Sequence, residues 1–294
     1  MAEEIVANPG STLGEAIGTL VEVEVNRLLR PIAEENGCVY ITVGPPNRQT
    51  GKPTKLLLKD TTGNQFQIDS VIANADMQPL VLIESKYIRY TKHNRDKGSW
   101  ICTAHYSLRR TFSTVRKSVA ILVDNWSAPS KALMESFDVS LFEVSFSKIA
   151  TTLSEYGVNI LWGEKERDKA ILAWEKWTQL NEAQYDEIGH KLLSDIEPNL
   201  RESMKITLDT TAPRQINEVE LMIATNVGES KQYTFNSIES VIEFLAGFDE
   251  REFLDDENGP SLWTPSPTSV LETPSLFPDL EDANNGMENG EENA

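Results

Sequence analysis

The chain has 294 residues, 39% of them hydrophobic and 25% charged, which is the composition of a soluble globular protein long enough to bury a core. Its 27 basic and 46 acidic residues give a formal net charge of −19, which taken over the whole chain argues against a nucleic-acid partner. The sequence has only two cysteines, so a disulfide framework and a cysteine-rich zinc site are excluded. The lack of a long apolar run, the acidic N-terminal stretch and the scarce cysteines predict a cytoplasmic protein with no membrane partner.

The first third of the chain predicts a helix followed by strands. Ser11 and Thr12, with Glu15 placed to close a capping box, predict the start of the helix. Its apolar residues recur at helical spacing as far as Pro31, which is expected to end or bend it. Alternating or β-branched segments predict strands at 39–43, 66–72 and 80–88, with a loop around 45–53 and a short polar turn at 74–79.

Helices and strands alternate from residue 106 to residue 162. The pattern predicts the end of a helix at 106–110, strands at 118–123, 139–144 and 158–162, and helices at 131–137 and 146–156. This alternation indicates parallel crossovers attached to the antiparallel hairpin that precedes them. The sequence therefore predicts an α/β fold with a mixed sheet.

The remaining residues predict further helices, a second hairpin and a tail. An apolar stripe indicates one long helix over 164–196, whose tryptophans are expected to anchor a core, with a base-stacking platform as the alternative. Strands at 219–225 and 231–235 predict a hairpin, which a helix at 238–248 follows. The last residues are acidic and without periodicity, which predicts disorder, with a docking peptide as the alternative. The expected division is a core at 1–163, a helical and small αβ extension at 164–248 and a disordered acidic tail at 249–294.

Charge is unevenly distributed along the chain. The tail at 249–294 has 13 acidic residues and one basic residue, a net charge of −12. Residues 85–131 have ten basic residues and two acidic ones, a net charge of +8. Such a basic segment can hold phosphates although the chain total is negative, and the alternative is a solvated helix face.

Three charged residues interrupt the apolar strands of the first predicted hairpin. Its turn is centred between residues 76 and 77, so Asp69 falls directly opposite Glu84 and the two side chains share one face of the sheet. Lys86 lies two residues beyond Glu84 and joins the same face. Charged groups among apolar strand residues are costly unless they are paired or bind a metal. Two carboxylates that hold Mg²⁺ beside an ammonium predict metal-dependent phosphodiester hydrolysis.

This arrangement resembles the PD-(D/E)XK nuclease superfamily, which includes restriction endonucleases, Holliday-junction resolvases and many repair and transposon nucleases. Asp69 and the tripeptide Glu84-Ser85-Lys86 match the motif, and Ile68 stands in the place of the proline in its name. From about residue 13 to residue 123, the predicted elements also follow the order of the family core: a helix, a three-stranded antiparallel meander, a helix and a further strand.

The resemblance implies a restriction endonuclease-like core and a DNA-cleaving site that uses Mg²⁺, with Mn²⁺ as a substitute. It implies Asp69 and Glu84 as metal ligands and Lys86 as the catalytic lysine. The glutamate that the family carries on its first helix, a further metal ligand and catalytic residue, would be Glu22, with Glu24 as the alternative.

The same tripeptide occurs a second time, at residues 229–231. That copy follows Gly228 in a polar hairpin turn with no apolar strand before it, so we expect a solvated turn. The alternative for the first copy is a cross-strand salt bridge without catalytic function.

DNA is the predicted partner, and basic residues beyond the site are expected to contact its phosphates: Arg89, Lys92, Arg95, Lys97, Arg109 and Arg110. His93 and His105 are expected to be surface or packing residues more than general acids or metal ligands.

A double-strand cut needs two sites, so a homodimer is expected, with the helix at 164–196 as its interface. Restriction or phage defence is the first expected role, ahead of repair or transposition. The alternative is a DNA-binding or scaffold subunit of a larger complex that does not cut, whose acidic tail occupies the basic cleft or docks a partner protein.

Overall fold

The computed structural model describes residues 8–45, 52, 54–89, 94–163, 165–211 and 213–251. The chain divides into two compact units, one ending at Asp209 and the other beginning at Thr210. The first unit contains a five-stranded sheet, a short two-stranded sheet and the following elements: α1 (Pro9–Glu35), β1 (Val39–Ile41), β2 (Leu57–Lys59), β3 (Gln65–Gln67), β4 (Ser70–Ala73), β5 (Pro79–Ile88), α2 (Asn94–Thr111), β6 (Lys117–Asp124), α3 (Ala128–Ser136), β7 (Val139–Val144), α4 (Phe146–Ser154), α5 (Arg167–Thr178), α6 (Glu182–Leu193) and α7 (Glu197–Leu208).

The five-stranded sheet has the order β1-β4-β5-β6-β7. β4 is antiparallel to both β1 and β5, whereas β6 runs parallel to β5 and β7 runs parallel to β6. The intervening helices α2 and α3 supply the long connections that parallel neighbours need. The predicted α/β fold, with parallel crossovers attached to an antiparallel hairpin, is confirmed at this level.

The two faces of this sheet are covered by different helices. Alternate residues Val81 and Ile83 of β5 pack in the core formed with α1. Leu82 and Ile88 point to the opposite face, where α2 packs. Because strand side chains alternate between faces, Glu84 and Lys86 also point toward α2.

The first helix begins earlier and ends later than predicted. Its N-cap is Asn8, whose side chain accepts a hydrogen bond from the Ser11 amide, and Pro9 occupies the first turn, where its missing N–H costs nothing. The helix continues through Pro31 to Glu35, because the apolar residues around the proline are buried against the core.

The predicted strand at 66–72 is two strands with different partners. β3 pairs with β2, which the sequence did not indicate, and β4 pairs with β1 and β5. The amide of Ile68 still donates to the Leu56 carbonyl at 3.1 Å, so the change of partner falls at Asp69.

The predicted strand at 158–162 is wrong, although Val158 and Ile160 are buried as strand residues would be. The guanidinium of Arg89 donates to the carbonyls of Ile160 and Trp162 at 2.6 and 2.9 Å, so these acceptors are taken by a side chain instead of a neighbouring strand.

The single long helix predicted over 164–196 is also wrong, since the region contains α5, α6 and the start of α7. Asn181 and Gln184 form a reciprocal capping box that starts α6. All three helices pack on α1, and Trp177 is buried in that core, as expected of a core anchor. Most of the apolar stripe on the helix predicted as a homodimer interface is therefore packed within the chain, although Leu172 is 61% exposed.

The compact units differ from the predicted division at residue 163. Helices α5 to α7 belong to the first unit because they share its core, so its boundary falls after Asp209. The second unit contains β8 (Val219–Ala224), antiparallel to β9 (Ser230–Phe235), and α8 (Ile238–Ala246). Phe244 of α8 packs against Tyr233 and Phe235 of the hairpin.

Two predicted segments fall largely outside the described residues. They are most of the loop around 45–53 and the acidic tail beyond residue 251. Within the part of the chain that the structure describes, no helix has both the length and the apolar character needed to span a bilayer.

Candidate active site

The hairpin formed by β4 and β5 brings the predicted charged residues together. Its register pairs Ser70 with Ile83, which places Asp69 opposite Glu84 as the sequence predicted. Lys86 Nζ lies 2.8 Å from Asp69 Oδ2 and 2.5 Å from Glu84 Oε2, so both carboxylates contact one ammonium. The predicted convergence on one face of the sheet is confirmed.

Asp69 is held by the backbone as well as by the lysine. Its Oδ2 atom accepts a hydrogen bond of 2.9 Å from the Ser85 amide. That amide is free for Asp69 because β4 begins one residue later, at Ser70. The change of strand partner at this point therefore places a carboxylate where a backbone carbonyl would otherwise stand.

The three side chains differ in exposure and in proton affinity. Glu84 is 1% exposed, and burial raises its pKa to about 8, with the Lys86 charge acting in the opposite direction. Burial also opposes ionisation of Asp69, but the Lys86 charge and hydrogen bonds with Glu84, Lys86 and Ser85 hold the Asp69 pKa below its ordinary value. Burial likewise disfavours the charged form of Lys86, yet the two carboxylates outweigh it and raise the lysine pKa.

Glu22 of α1 belongs to the same site, and Glu24 does not. Glu22 is half-buried, and its pKa is raised by burial and by the Asp69 charge, with Lys86 acting against them. Glu24 is buried elsewhere, where it pairs with Arg27 at 2.6 Å and with His190 at 2.6 Å. Of the two alternatives on the first helix, only Glu22 faces Asp69 and Lys86.

A cavity of about 1220 Å³ opens beside these residues. It exceeds the roughly 300–1,000 Å³ of ordinary small-molecule pockets. Its lining contains residues of both charges, which are the acidic residues Glu15, Glu22, Asp69 and Glu166 and the basic residues Lys55, Lys86, Arg89, Lys97 and Arg167. The cavity is therefore large and polar, with positive charge near the carboxylates.

The donor set can be tested against the divalent ion that the family resemblance implies. Glu84 Oε2 is buried, and no described residue forms a well-directed hydrogen bond with it, so it is an oxygen with capacity for a further partner. No group of three His, Cys, Asp or Glu side chains able to hold a metal is present among the described residues. Mg²⁺ is commonly bound through only one or two protein carboxylates, with waters and phosphate oxygens as its other ligands. The pair Asp69 and Glu84 fits that pattern, while Glu22 lines the cavity without completing a three-residue cluster.

The predicted phosphate-contacting residues occupy different surroundings. Arg95 and Lys97 are exposed on the first turns of α2, and Lys97 lines the cavity. Arg89 also lines the cavity, but its guanidinium binds two backbone carbonyls and lies 3.9 Å from the Trp162 ring centroid, which gives it a structural role that the prediction did not include.

The remaining three predicted contacts are less informative. Arg109 lies 3.3 Å from Asp138, and Arg110 lies over the Tyr106 ring and donates to its hydroxyl. Both stand in the last turn of α2, far along the helix from Lys97. Lys92 lies outside the described residues, as does His93.

Sequence reasoning missed Lys55 and did not decide between a surface and a packing position for His105. Lys55 lines the cavity from a segment in which no pattern indicated a site. His105 is fully buried under the sheet face that carries Glu84 and Lys86. The spacing of Ile101, His105 and Leu108 on one helix face was the available signal for the histidine.

Comparison with known proteins adds little to this description. No protein-family model matches the chain, and no curated protein matches it. Among solved structures, the chain is similar to the crystal structure of AF1548, a protein of unknown function, with 16% identity, a TM-score of 0.29, and coverage of 64% of this chain and 98% of the other. A likeness at this TM-score carries no weight for fold or function.

Proposed function

We propose that the chain is a Mg²⁺-dependent DNA endonuclease with a restriction endonuclease-like core. The observation that carries the proposal is the contact of Asp69 and Glu84 with Lys86 on one sheet face, beside a large polar cavity. The order of these residues on an antiparallel hairpin is also the motif of the nuclease superfamily that the sequence resembles.

Each residue has a role that follows from its position. Asp69 and Glu84 would hold the ion through hard carboxylate oxygens, and Glu22 would add negative charge from the same cavity. When bound, Mg²⁺ would stabilise charge on a phosphodiester and lower the pKa of a bound water. Lys86 has a side chain that is 28% exposed, so its ammonium can reach a phosphate oxygen in the cavity while its stem stays packed in the sheet.

The basic residues around the cavity support DNA as the substrate. Lys55 and Lys97 are exposed and line the cavity. Contacts of this kind bind phosphates without reading base sequence. They are consistent with a polyanionic substrate although the net charge of the chain is −19.

The test is a cleavage assay with the full chain on supercoiled plasmid and on single-stranded DNA, in Mg²⁺ and in Mn²⁺. We expect cutting that requires the metal and that falls by roughly 10²–10⁴-fold in the Lys86→Ala variant. Lys231→Ala is the matched control because it removes the lysine of the second Glu-Ser-Lys tripeptide, and its rate should equal that of the wild type. Equal rates in wild type and Lys86→Ala would contradict the proposal.

A second candidate is a DNA-binding or scaffold subunit of a larger defence, repair or transposition complex. The observation that favours it is the pairing of Lys86 with both carboxylates, which is also what a purely structural salt bridge would show. Absence of cutting by the wild type in either metal and on either DNA form would favour this candidate.

A further inference from the structure

Helix α2 runs along the sheet face that carries the proposed site. Ile101, in its first half, packs in a cluster with Ile88 at the end of β5. Leu108, near the end of the helix, packs in a cluster with Leu82, near the start of that strand. The helix therefore runs antiparallel to β5, and its middle covers the strand between residues 82 and 88.

His105 occupies that middle position. It is 0% exposed, and neither ring nitrogen has a hydrogen-bond partner among the described residues. Burial lowers the pKa of His105 to about 3, and the Lys86 and Arg109 charges act in the same direction, so the imidazole is neutral and carries one N–H donor. Leaving buried polar groups unpaired is energetically costly, so the unpaired His105 ring needs an explanation.

Two further polar side chains lie on the same sheet face. One is Glu84, whose Oε2 atom contacts the Lys86 ammonium, and the other is Ser118 on β6, whose fully buried Oγ has no hydrogen-bond partner among the described residues. Ser118 is the parallel-register neighbour of Leu82, so it shares the α2-facing side. A carboxylate, a hydroxyl and an imidazole inside one layer can pair with one another or with a single buried water.

We propose that His105 is a positioning residue whose ring N–H donates a hydrogen bond to the Glu84 carboxylate, directly or through one buried water, when the Lys86 ammonium leaves that carboxylate. The inference rests on the proposed function, in which Lys86 turns to the substrate and Glu84 serves as a metal ligand. Glu84 then exchanges its contact with the Lys86 ammonium for the metal ion, and without a further partner its carboxylate could bind that ion in more than one orientation. A donor fixed in the core behind it keeps the carboxylate in one orientation, as partners of metal ligands commonly do.

The arrangement explains why the histidine lacks a partner with Lys86 in place. While the ammonium contacts Glu84, no donor from α2 is required. The unpaired imidazole is then costly only in the state in which Lys86 contacts Glu84. The cost is relieved in the state in which Lys86 has turned to the substrate. An apolar residue at position 105 would remove that cost and would also remove the donor.

The test measures Mn²⁺ binding to the full chain by isothermal titration calorimetry. We expect His105→Leu to weaken Mn²⁺ binding by about 10–100-fold, the usual effect of losing a partner of a metal ligand, without lowering the melting temperature. His105→Gln, which keeps an N–H donor, should recover most of the affinity. His190→Gln is the matched control, because His190 pairs with Glu24 outside the site, and its Mn²⁺ affinity should equal that of the wild type.

Several results would overturn the inference. One is wild-type Mn²⁺ affinity in His105→Leu, and another is an equal loss of affinity and melting temperature in the Leu and Gln variants, which indicates packing alone. If His105→Leu does not fold, His105→Met replaces it, because methionine adapts to irregular core space. A wild type that binds Mn²⁺ with the expected variant series but cuts no DNA would contradict the proposed function and leave the positioning role standing. A wild type that binds no Mn²⁺ would overturn both.

Discussion

The tripeptide Glu-Ser-Lys occurs twice in this chain, and the two copies differ in burial and in the residues that lie opposite them. In β5, Glu84 is buried, and Asp69 lies opposite it in the register. At the start of β9, Glu229 is exposed in a turn, where its amide donates to Thr225 Oγ1 at 3.1 Å. The expectation of a solvated turn at the second copy holds for Glu229, whereas Ser230 and Lys231 belong to β9, which pairs with the strand before the turn.

The opposing strand decides what each copy can do. Glu84 faces a carboxylate across the hairpin, whereas the residue across from Glu229 is Thr225, and Lys231 is paired with Ile223. A second carboxylate and a low-dielectric surrounding are both needed before a Glu-x-Lys sequence can hold a divalent ion. The Glu-x-Lys sequence alone therefore does not indicate a metal site, and the residue opposite the glutamate on the neighbouring strand must be considered with it.

The largest difference between the two copies should be seen in metal binding. Glu84→Gln removes a proposed ligand and should weaken Mn²⁺ binding by more than the about 100-fold that loss of an outer partner can cost. Glu229→Gln should leave the affinity unchanged. Calorimetric titration of the full chain measures both. A comparable loss of Mn²⁺ affinity in Glu84→Gln and Glu229→Gln would contradict a metal site at the first copy.

The second difference should be seen in stability. Lys86→Met leaves two buried carboxylates without their cation and should lower the free energy of unfolding by about 2–4 kcal/mol at pH 7.5. Lys231→Met should change it by less than about 0.5 kcal/mol, as is usual for surface substitutions. Urea unfolding measures both values. The loss in Lys86→Met should shrink at lower pH, where protonation neutralises the carboxylates, and a pH-independent loss would point to packing instead.

A third experiment compares the pH dependence of stability for a buried aspartate, Asp124, and an exposed one, Asp138. Asp124 has a left-handed φ of 79° and is buried, and Asp138 has a left-handed φ of 55° with a side chain that is 81% exposed. Burial raises the pKa of Asp124 to about 6, against opposing interactions with Tyr87 and Arg89. The folded state therefore holds this proton more tightly, so its contribution to stability is present below pH 4 and is lost as the pH rises through 6.

Asp124→Asn removes this pH dependence and keeps a residue that tolerates a left-handed backbone. Relative to wild type, the variant should gain up to about 2 kcal/mol of stability between pH 4 and pH 7. Asp138→Asn is the control and should show a much smaller gain over the same range. Thermal or urea unfolding across that range decides the matter, and a flat difference for Asp124→Asn would contradict the expectation.

The smallest expected effect concerns the acidic residues that follow the second copy. Removing residues 252–294 takes away 11 acidic residues and no basic one. DNA affinity without a divalent metal should rise by about threefold at low salt, because the removed charge no longer competes with phosphate, and the gain should vanish near 0.2 M salt. Fluorescence anisotropy with a labelled duplex measures it. Unchanged affinity at low salt would refute competition by the tail.

The site was more predictable than several elements around it. The register of the first hairpin follows from the position of one short turn, so the pairing of Asp69 with Glu84 could be derived by counting. The change of partner at Asp69 could not, since it depends on β2, a short strand whose residues show no alternation. The choice between Glu22 and Glu24 also required coordinates, because both lie on one helix and the rotation of that helix is set by packing.

The extent of the helices was the least predictable feature. The apolar stripe at 164–196 continues through two turns between helices, and only the capping pair Asn181 and Gln184 marks one of the breaks. The strand expected at 158–162 failed for another reason, because Arg89 supplies the donors that a neighbouring strand would have supplied. Long-range side-chain contacts of that kind leave no local pattern.

The close packing of α1 on β5 has a consequence for the proposed chemistry. A Cβ atom built on Gly14 would lie 2.7 Å from the Tyr87 ring, so a larger residue there must displace that ring or move the helix away from the strand. Glu22 stands eight residues further along the same helix, about 12 Å at 1.5 Å per residue, and would move outward wherever the helix does. The size of residue 14, which has no functional group of its own, therefore affects how far the Glu22 carboxylate extends into the cavity.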